Sequence, residues 1–490
     1  MFFIGTRTSK ELCNFNDAVL NAIVKQQGGV FVPSFLAPFD IEKILELSSK
    51  RYKDILIELM FLISDGNIDR CVIQEIIESS FKDFHRGFGD YCIEEKKDII
   101  SSHDDIITIH DFERNVKIVD LIHGPTGCCK DYGYCVAANI VNYLAKQDGR
   151  PRSIIDISGC NSGVSTAWAI KDKDYLKGFI LFCSKNINNS VKALTVQACR
   201  DAKNLDFAIT SADSYFFNKM RYDVCNNTSL REILNMTFIN ELNLICIFSY
   251  LPLFFKVYAS CNNKPFCVSL PTDNMSLCMA AFFAKKIGVP IRKIILSVEK
   301  NDFLKKIQDS KIAINNLKID KGFTDFYSNV PANFERLLFY LYNANQSSVK
   351  RAMQELESGG RYKISDSLLM KFKEHFYVAQ CGNQFAMHNI VNSLARERKM
   401  YVGQYFAIAK MGFDEASREI PEEINDTPFV ILNTLDYRRD IEFVNTSLGY
   451  DVEQVKYPWI DEDVKMFMPT EITSDGAEIL NYIVNFFDKK

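Results

Sequence analysis

Lys130 is the residue of this sequence whose position could do chemistry. In HGPTGCCKDYGYCVAANIVNYLAK, from His123 to Lys146, an apolar run ends in a His-Gly-Pro-Thr turn and passes into an amphipathic segment with Lys130 near its start. The spacing predicts a helix whose first turn carries an ammonium. A helix N-terminus bears partial positive charge, which disfavours that ammonium and favours the neutral amine a nucleophile needs. The ordinary alternative is a solvated surface lysine beside Asp131.

Two further turns lead from an apolar run into a helix-forming segment. ISGCNSGVSTAWAI, from Ile157, brings Asn161, Ser162 and Gly163 to a helix start, where backbone N–H groups can meet an anion. SLPTDNMSLCMAAFFAKKIGVP, from Ser269, does the same with Asn274 and Ser276, either of which can cap the helix. Each turn also reads as a capped helix without a ligand. The dinucleotide G-x-G-x-x-G, the nucleotide G-x-x-x-x-G-K-[ST] and the hydrolase G-x-S-x-G are all missing. Cys128-Cys129 followed by Cys135 lacks a matching second pair, so no metal is expected.

The elements that must position these turns are brief apolar runs alternating with longer amphipathic segments. VKIVDLI, SIIDIS, KGFILFC, FAIT, PFCVSLP, RKIILSV and TPFVILN predict βα units and mostly parallel sheets. From Ile41 to Phe84 apolar residues recur at helical spacing, which predicts a helical N-terminal unit. At 490 residues and 47% hydrophobic content the chain can hold two or three cores, because single cores stop growing at roughly 250–300 residues.

Basic and acidic side chains number 58 and 62, a net charge of -4, so no positive field gathers nucleic acid or anionic lipid. The 15 cysteines are scattered and no signal peptide precedes them, which predicts reduced thiols in a cytoplasm. LNLICIFSYLPLFFKVYAS, from Leu242, is broken by Asn243, Pro252 and Lys256, so a buried helix is expected in place of a membrane span.

Taken together, these motifs resemble the threonine synthases. The opening has Thr6-Arg7, a helix-forming stretch and Gly28-Gly29-Val30-Phe31-Val32-Pro33, similar to the family's Thr-Arg pair and GGL[YF]VP turn. His123-Gly124-Pro125-Thr126 and Lys130-Asp131-Tyr132-Gly133 are in register with its HGPT-x-x-F-K-D-[FY]-G motif. PTDNMSLCMAAFFAKKIGVPIRKIILSVEKND and, from Ser328, SNVPANFERLLFYLY resemble two later segments.

The resemblance implies an α/β protein of the two-lobed pyridoxal-phosphate fold type II, like the tryptophan synthase β chain. Its parts would be a helical N-terminal domain over residues 1–100 and a catalytic core over 101–490, with a smaller lobe inserted at about 134–235. It implies pyridoxal 5'-phosphate as a Schiff base on Lys130, with Asn161, Asn274 and Ser276 at the cofactor and Ser162, Gly163 and Asn240 at the substrate. The reaction would convert O-phospho-L-homoserine and water to L-threonine and phosphate, as threonine biosynthesis by a cytoplasmic monomer or homodimer without nucleic-acid or membrane partners.

Several positions depart from the family pattern. Its G-N-F-G phosphate loop stands here as Asp273-Asn274-Met275-Ser276. A carboxylate within about 4 Å of a phosphate would repel it by several kcal/mol at an effective dielectric near 20. Gly159-Cys160-Asn161-Ser162-Gly163 replaces Ser-Gly-Asp-Thr-Gly, and Phe406 replaces the threonine expected near the pyridine nitrogen. Asn243 takes the place of a phosphate-facing arginine, which removes charge-assisted donors. These losses define an alternative: a catalytically degenerate relative that keeps the fold as a binding module.

Overall fold

The computed structural model describes residues 1–8, 12–25, 28–84, 106–158, 160–183, 187–200, 202–212, 214–299, 303–315, 330–452, 470–472 and 476–488. Gly159, residues 300–302 and the Ser328-Asn329 start of one motif lie outside the described residues.

Phe3–Gly5 and Phe31–Pro33 pair as an antiparallel ribbon around the helix Phe15–Asn21. Helices Ile41–Ser48, Tyr52–Ser64 and Arg70–Ser80 follow, within the stretch predicted to be helical. Asp40 starts the first by accepting a hydrogen bond from the Lys43 N–H at 2.8 Å. One face of each is buried, through residues such as Ile44, Leu47, Leu56 and Ile77.

Two larger sheets carry most of the rest. The larger has six strands in the order Phe376–Gln380, Ile291–Val298, Phe266–Pro271, Phe429–Asn433, Val116–Asp120 and Thr108–Glu113. All are parallel except the edge strand Thr108–Glu113. The smaller sheet is wholly parallel, in the order Thr470–Ile472, Leu205–Thr210, Leu176–Cys183 and Arg152–Ser158. Helices cover both faces of such strands, so they read as unbroken apolar runs, and Phe266–Pro271 is buried at every position.

Three strands of these two sheets had no such run. Thr108–Glu113 carries His110 and Asp111 on an edge, and Phe376–Gln380 and Thr470–Ile472 lie at sheet edges as well. The stretch from Leu242 forms two buried helices, Leu244–Phe248 and Leu251–Ser260. Among the described residues no helix is long and apolar enough to cross a membrane.

Candidate active site

The strand Val116–Asp120 leads through the His-Gly-Pro-Thr turn into the helix Lys130–Asp148, so Lys130 is its first residue. Lys130 is 6% exposed, and its Nζ lies 3.2 Å from Asp273 Oδ2. Asp131 is engaged elsewhere: its carboxylate accepts hydrogen bonds from the Thr126 N–H and the Thr126 hydroxyl, both at 2.8 Å. The surface-lysine alternative is therefore excluded.

The neighbours of Lys130 in the motif each hold its helix in place. A Cβ on Gly124 would lie 2.4 Å from the Asp131 side chain. The Tyr132 hydroxyl donates to the Ile106 carbonyl. A Cβ on Gly133 would come within 2.7 Å of the Cys246 carbonyl, so glycine lets the helix Leu244–Phe248 approach.

The second turn sits beside the first. Arg439 donates to the Thr126 carbonyl and, at 2.6 Å, to Asn161 Oδ1, while Asn161 Nδ2 donates to the Tyr405 hydroxyl at 3.3 Å. Ser162 and Tyr134 share a hydroxyl hydrogen bond at 2.8 Å, and Tyr134 donates to Glu241 at 3.1 Å. Arg221 pairs with the other oxygen of Glu241. Tyr134 lies one turn beyond Lys130, which puts this network on the lysine's side of the helix. Gly163 has a packing role: its N–H donates to Ser158 Oγ at 2.5 Å, and a Cβ there would meet the Phe182 ring at 2.7 Å.

The third turn faces the lysine. Met275, at the N-cap of the helix Ser276–Lys286, takes the left-handed conformation at φ 66°, and Asn274 Oδ1 accepts from the Ser276 N–H at 3.0 Å. Asn333 Nδ2 donates to the Asn274 carbonyl at 3.1 Å and to Ser276 Oγ at 3.2 Å. The buried Arg336 guanidinium donates to Asn333 and to the Phe31, Glu241 and Leu242 carbonyls. Next to it, Glu335 accepts from Thr6 and, at 2.9 and 2.8 Å, from Arg7. The amino-terminal motif thus braces the turn opposite Lys130.

Asn240 is buried, and its Oδ1 accepts from the Leu242 N–H at 3.1 Å within its own turn. Asn243 likewise donates to the Val19 and Phe238 carbonyls, both at 3.0 Å, and supports the fold where an arginine would face a phosphate. Phe406 is fully buried with its ring edge-to-face on Phe112, centroids 6.3 Å apart. Tyr134, Glu241, Arg439 and Asp440 were not visible as site residues in the sequence. The only local hint was the charged segment DYRRD just past the strand Phe429–Asn433.

Burial raises three acids nearby, Asp131, Asp156 and Asp440. Burial pushes the Asp156 carboxyl up to about 6, against the Thr166 hydroxyl that donates to it at 2.5 Å. Burial likewise pushes Asp440 up to about 7; the Gln404 N–H opposes this, and the charges of Glu442 and Glu299 add to it. Because the folded value of Asp440 lies above its ordinary one, the native state holds the proton more tightly than the unfolded chain. Stability is therefore lost as pH rises from the ordinary carboxylate range through about 7. Asp440→Asn is expected to remove about 1–3 kcal/mol of the loss between about pH 5 and about pH 8, measured by urea denaturation at both.

Comparison with known proteins agrees with this geometry. Residues 2–81 match the sequence model described as the threonine synthase N terminus. Threonine synthase of Eremothecium gossypii is 22% identical over 480 residues, covering 91% of this chain and 89% of that protein. The chain is thus similar to threonine synthases over most of its length. It is also similar to threonine synthase-like 2 of Xenopus laevis, 21% identical over 373 residues and 72% of each chain. Pyridoxal-phosphate-bound threonine synthase from Brucella melitensis superposes with a TM-score of 0.85 at 19% identity, over 100% of both chains. The two-lobed, mostly parallel α/β fold is thus the pyridoxal-phosphate type II fold of threonine synthases.

Proposed function

We propose that this chain is a pyridoxal-phosphate-dependent lyase that converts O-phospho-L-homoserine and water to L-threonine and phosphate. The observation that carries the proposal is the buried Lys130 amine, which touches Asp273, the residue next to Asn274. Relatives of the family act as threonine synthases, and the Brucella melitensis protein binds pyridoxal phosphate on the same fold.

The residues fit this cofactor in two respects. Lys130 presents an amine for its aldehyde, and Arg439 keeps a buried Nε–H with no acceptor among the described residues. Lys130 would be the covalent anchor, with Asn161, Asn274 and Ser276 around the cofactor and Ser162, Gly163 and Asn240 on the substrate side. When bound, pyridoxal phosphate supplies an electron sink for carbanion chemistry. The chain itself supplies a mobile proton on Lys130 Nζ and a buried, braced setting that excludes water.

In this reading the larger sheet belongs to a core over 101–490, the smaller sheet to a lobe at about 134–235 joined by the strand Thr470–Ile472, and residues 1–100 form the helical domain. The protein would serve threonine biosynthesis in the cytoplasm as a monomer or homodimer. A degenerate, non-catalytic relative is the second reading, and the Lys130–Asp273 ion pair is the observation that favours it.

Borohydride reduction after addition of pyridoxal phosphate, followed by mass spectrometry, is expected to find a pyridoxyl group on Lys130. Phosphate release from O-phospho-L-homoserine is expected in the same preparation. Labelling without turnover would favour the second reading, and neither labelling nor turnover would end the first.

A further inference from the structure

We infer that Asp273 is the counter-ion of Lys130 and makes cofactor loading conditional on breaking their ion pair. The inference rests on the reading that Lys130 carries pyridoxal phosphate. The Nζ–Oδ2 distance is 3.2 Å, and the side chains are only 8% and 19% exposed, so water and salt screen the pair little.

Asp273 is fixed on both sides. Before it, the buried strand Phe266–Pro271 leads to Thr272, whose N–H donates to the Ser297 carbonyl at 2.9 Å. After it, Asn333 holds the Asn274 carbonyl. The carboxylate is thereby held against the amine at the start of the helix Ser276–Lys286, where free N–H donors would favour an anionic ligand. One side chain therefore opposes two requirements of loading: a phosphate at this turn and a free lone pair on the lysine.

Loading needs that lone pair. The ammonium gives one proton to solvent, and the amine nitrogen attacks the aldehyde carbon. Its two remaining hydrogens then leave with the carbonyl oxygen as water, which forms the carbon–nitrogen double bond. A carboxylate at ion-pair distance favours the ammonium and so lowers the fraction of free amine.

Other titratable groups around the pair are Cys128 and Cys129, Tyr250, whose hydroxyl donates to the Cys129 carbonyl at 2.9 Å, and Asp156. The Cys128 thiol and burial hold the Cys129 thiol well up, and burial does the same to Tyr250, so both stay neutral near pH 7. Asp156, pushed up to about 6, is ionised above that range.

The test is titration of the full chain, Asp273→Asn and Asp273→Gly with pyridoxal 5'-phosphate, above about pH 7, where Asp156 is already ionised. Loading is read from absorbance of the lysine-bound cofactor and from the borohydride-fixed pyridoxyl group on Lys130. Both variants are expected to half-load at a cofactor concentration about tenfold or more below the unaltered chain. Loading of the unaltered chain should climb with pH over a range in which the variants are already level.

Equal half-loading with superimposable pH profiles would overturn the inference and leave the proposed function standing. Weaker loading of the isosteric Asp273→Asn would overturn it too, because the carboxylate would then assist. A pyridoxyl group on Lys130 in none of the three chains would overturn both.

Discussion

Lys130→Ala is expected to abolish the pyridoxyl label and to lower phosphate release from O-phospho-L-homoserine on the order of 10⁴-fold. In the proposed chemistry one nitrogen is both the covalent anchor and the proton carrier, so its loss removes two contributions at once. Stability is expected to fall by about 3–5 kcal/mol, because Asp273 loses its ion-pair partner in a largely buried site. Lys130→Arg separates charge from chemistry, since a guanidinium preserves the charge facing Asp273 but stays protonated and cannot condense with an aldehyde. Turnover that survives in Lys130→Ala at more than a few per cent would remove the lysine from the mechanism.

Glu335→Ala is expected to destabilise the chain by about 1–3 kcal/mol in denaturant titrations, because it removes the more buried of the two carboxylates that pair with Arg7 and leaves only Glu357. Arg7 and Glu335 are 14% and 7% exposed and share two hydrogen bonds, while Thr6 donates to the same carboxylate. Burial alone would ease the proton off Arg7, but the Glu335 and Glu357 carboxylates more than reverse that and hold it charged. A water molecule cannot easily fill in, since Gly29 packs so tightly that a Cβ there would lie 2.1 Å from the Thr6 hydroxyl and 2.2 Å from Glu335. A double-mutant cycle with Arg7→Ala should give a coupling of about 1–3 kcal/mol. A loss below about 1 kcal/mol for the single variant would mean that the N-terminal ribbon is not braced through this carboxylate.

That brace explains why motifs far apart in the chain occur together. Thr6-Arg7, Gly28-Gly29 and the Asn333-Phe334-Glu335-Arg336 segment meet at one carboxylate and one guanidinium. The segment then continues through Asn333 to Asn274 and Ser276. Residues that resemble a family signature at the amino terminus therefore act on the site from behind, and they do not touch the reacting atoms.

Much of the fold was legible because its signals are local. Strands buried on both faces read as apolar runs, and the first helices read from their 3.6-residue period. The position of Lys130 at a helix start was legible for the same reason, since a turn followed by amphipathic spacing is a property of neighbouring residues. The edge strands Thr108–Glu113 and Phe376–Gln380 were not, because a strand at a sheet edge is only partly covered and need not be apolar throughout.

The sequence by itself determined the α/β class, the helical N-terminal unit, the lysine at the head of its helix and the three turns that could meet a ligand. Only the tertiary structure decided what those groups face. It turned Asp131 onto Thr126, tied Asn240 Oδ1 to the Leu242 N–H and Asn243 to the Val19 carbonyl, and brought Arg439 to Asn161. It also set Asp273 against Lys130, a partner 143 positions along the chain. Side-chain partners across such separations depend on how two lobes pack and on which polar groups burial forces to pair, and neither is encoded in the spacing of adjacent residues.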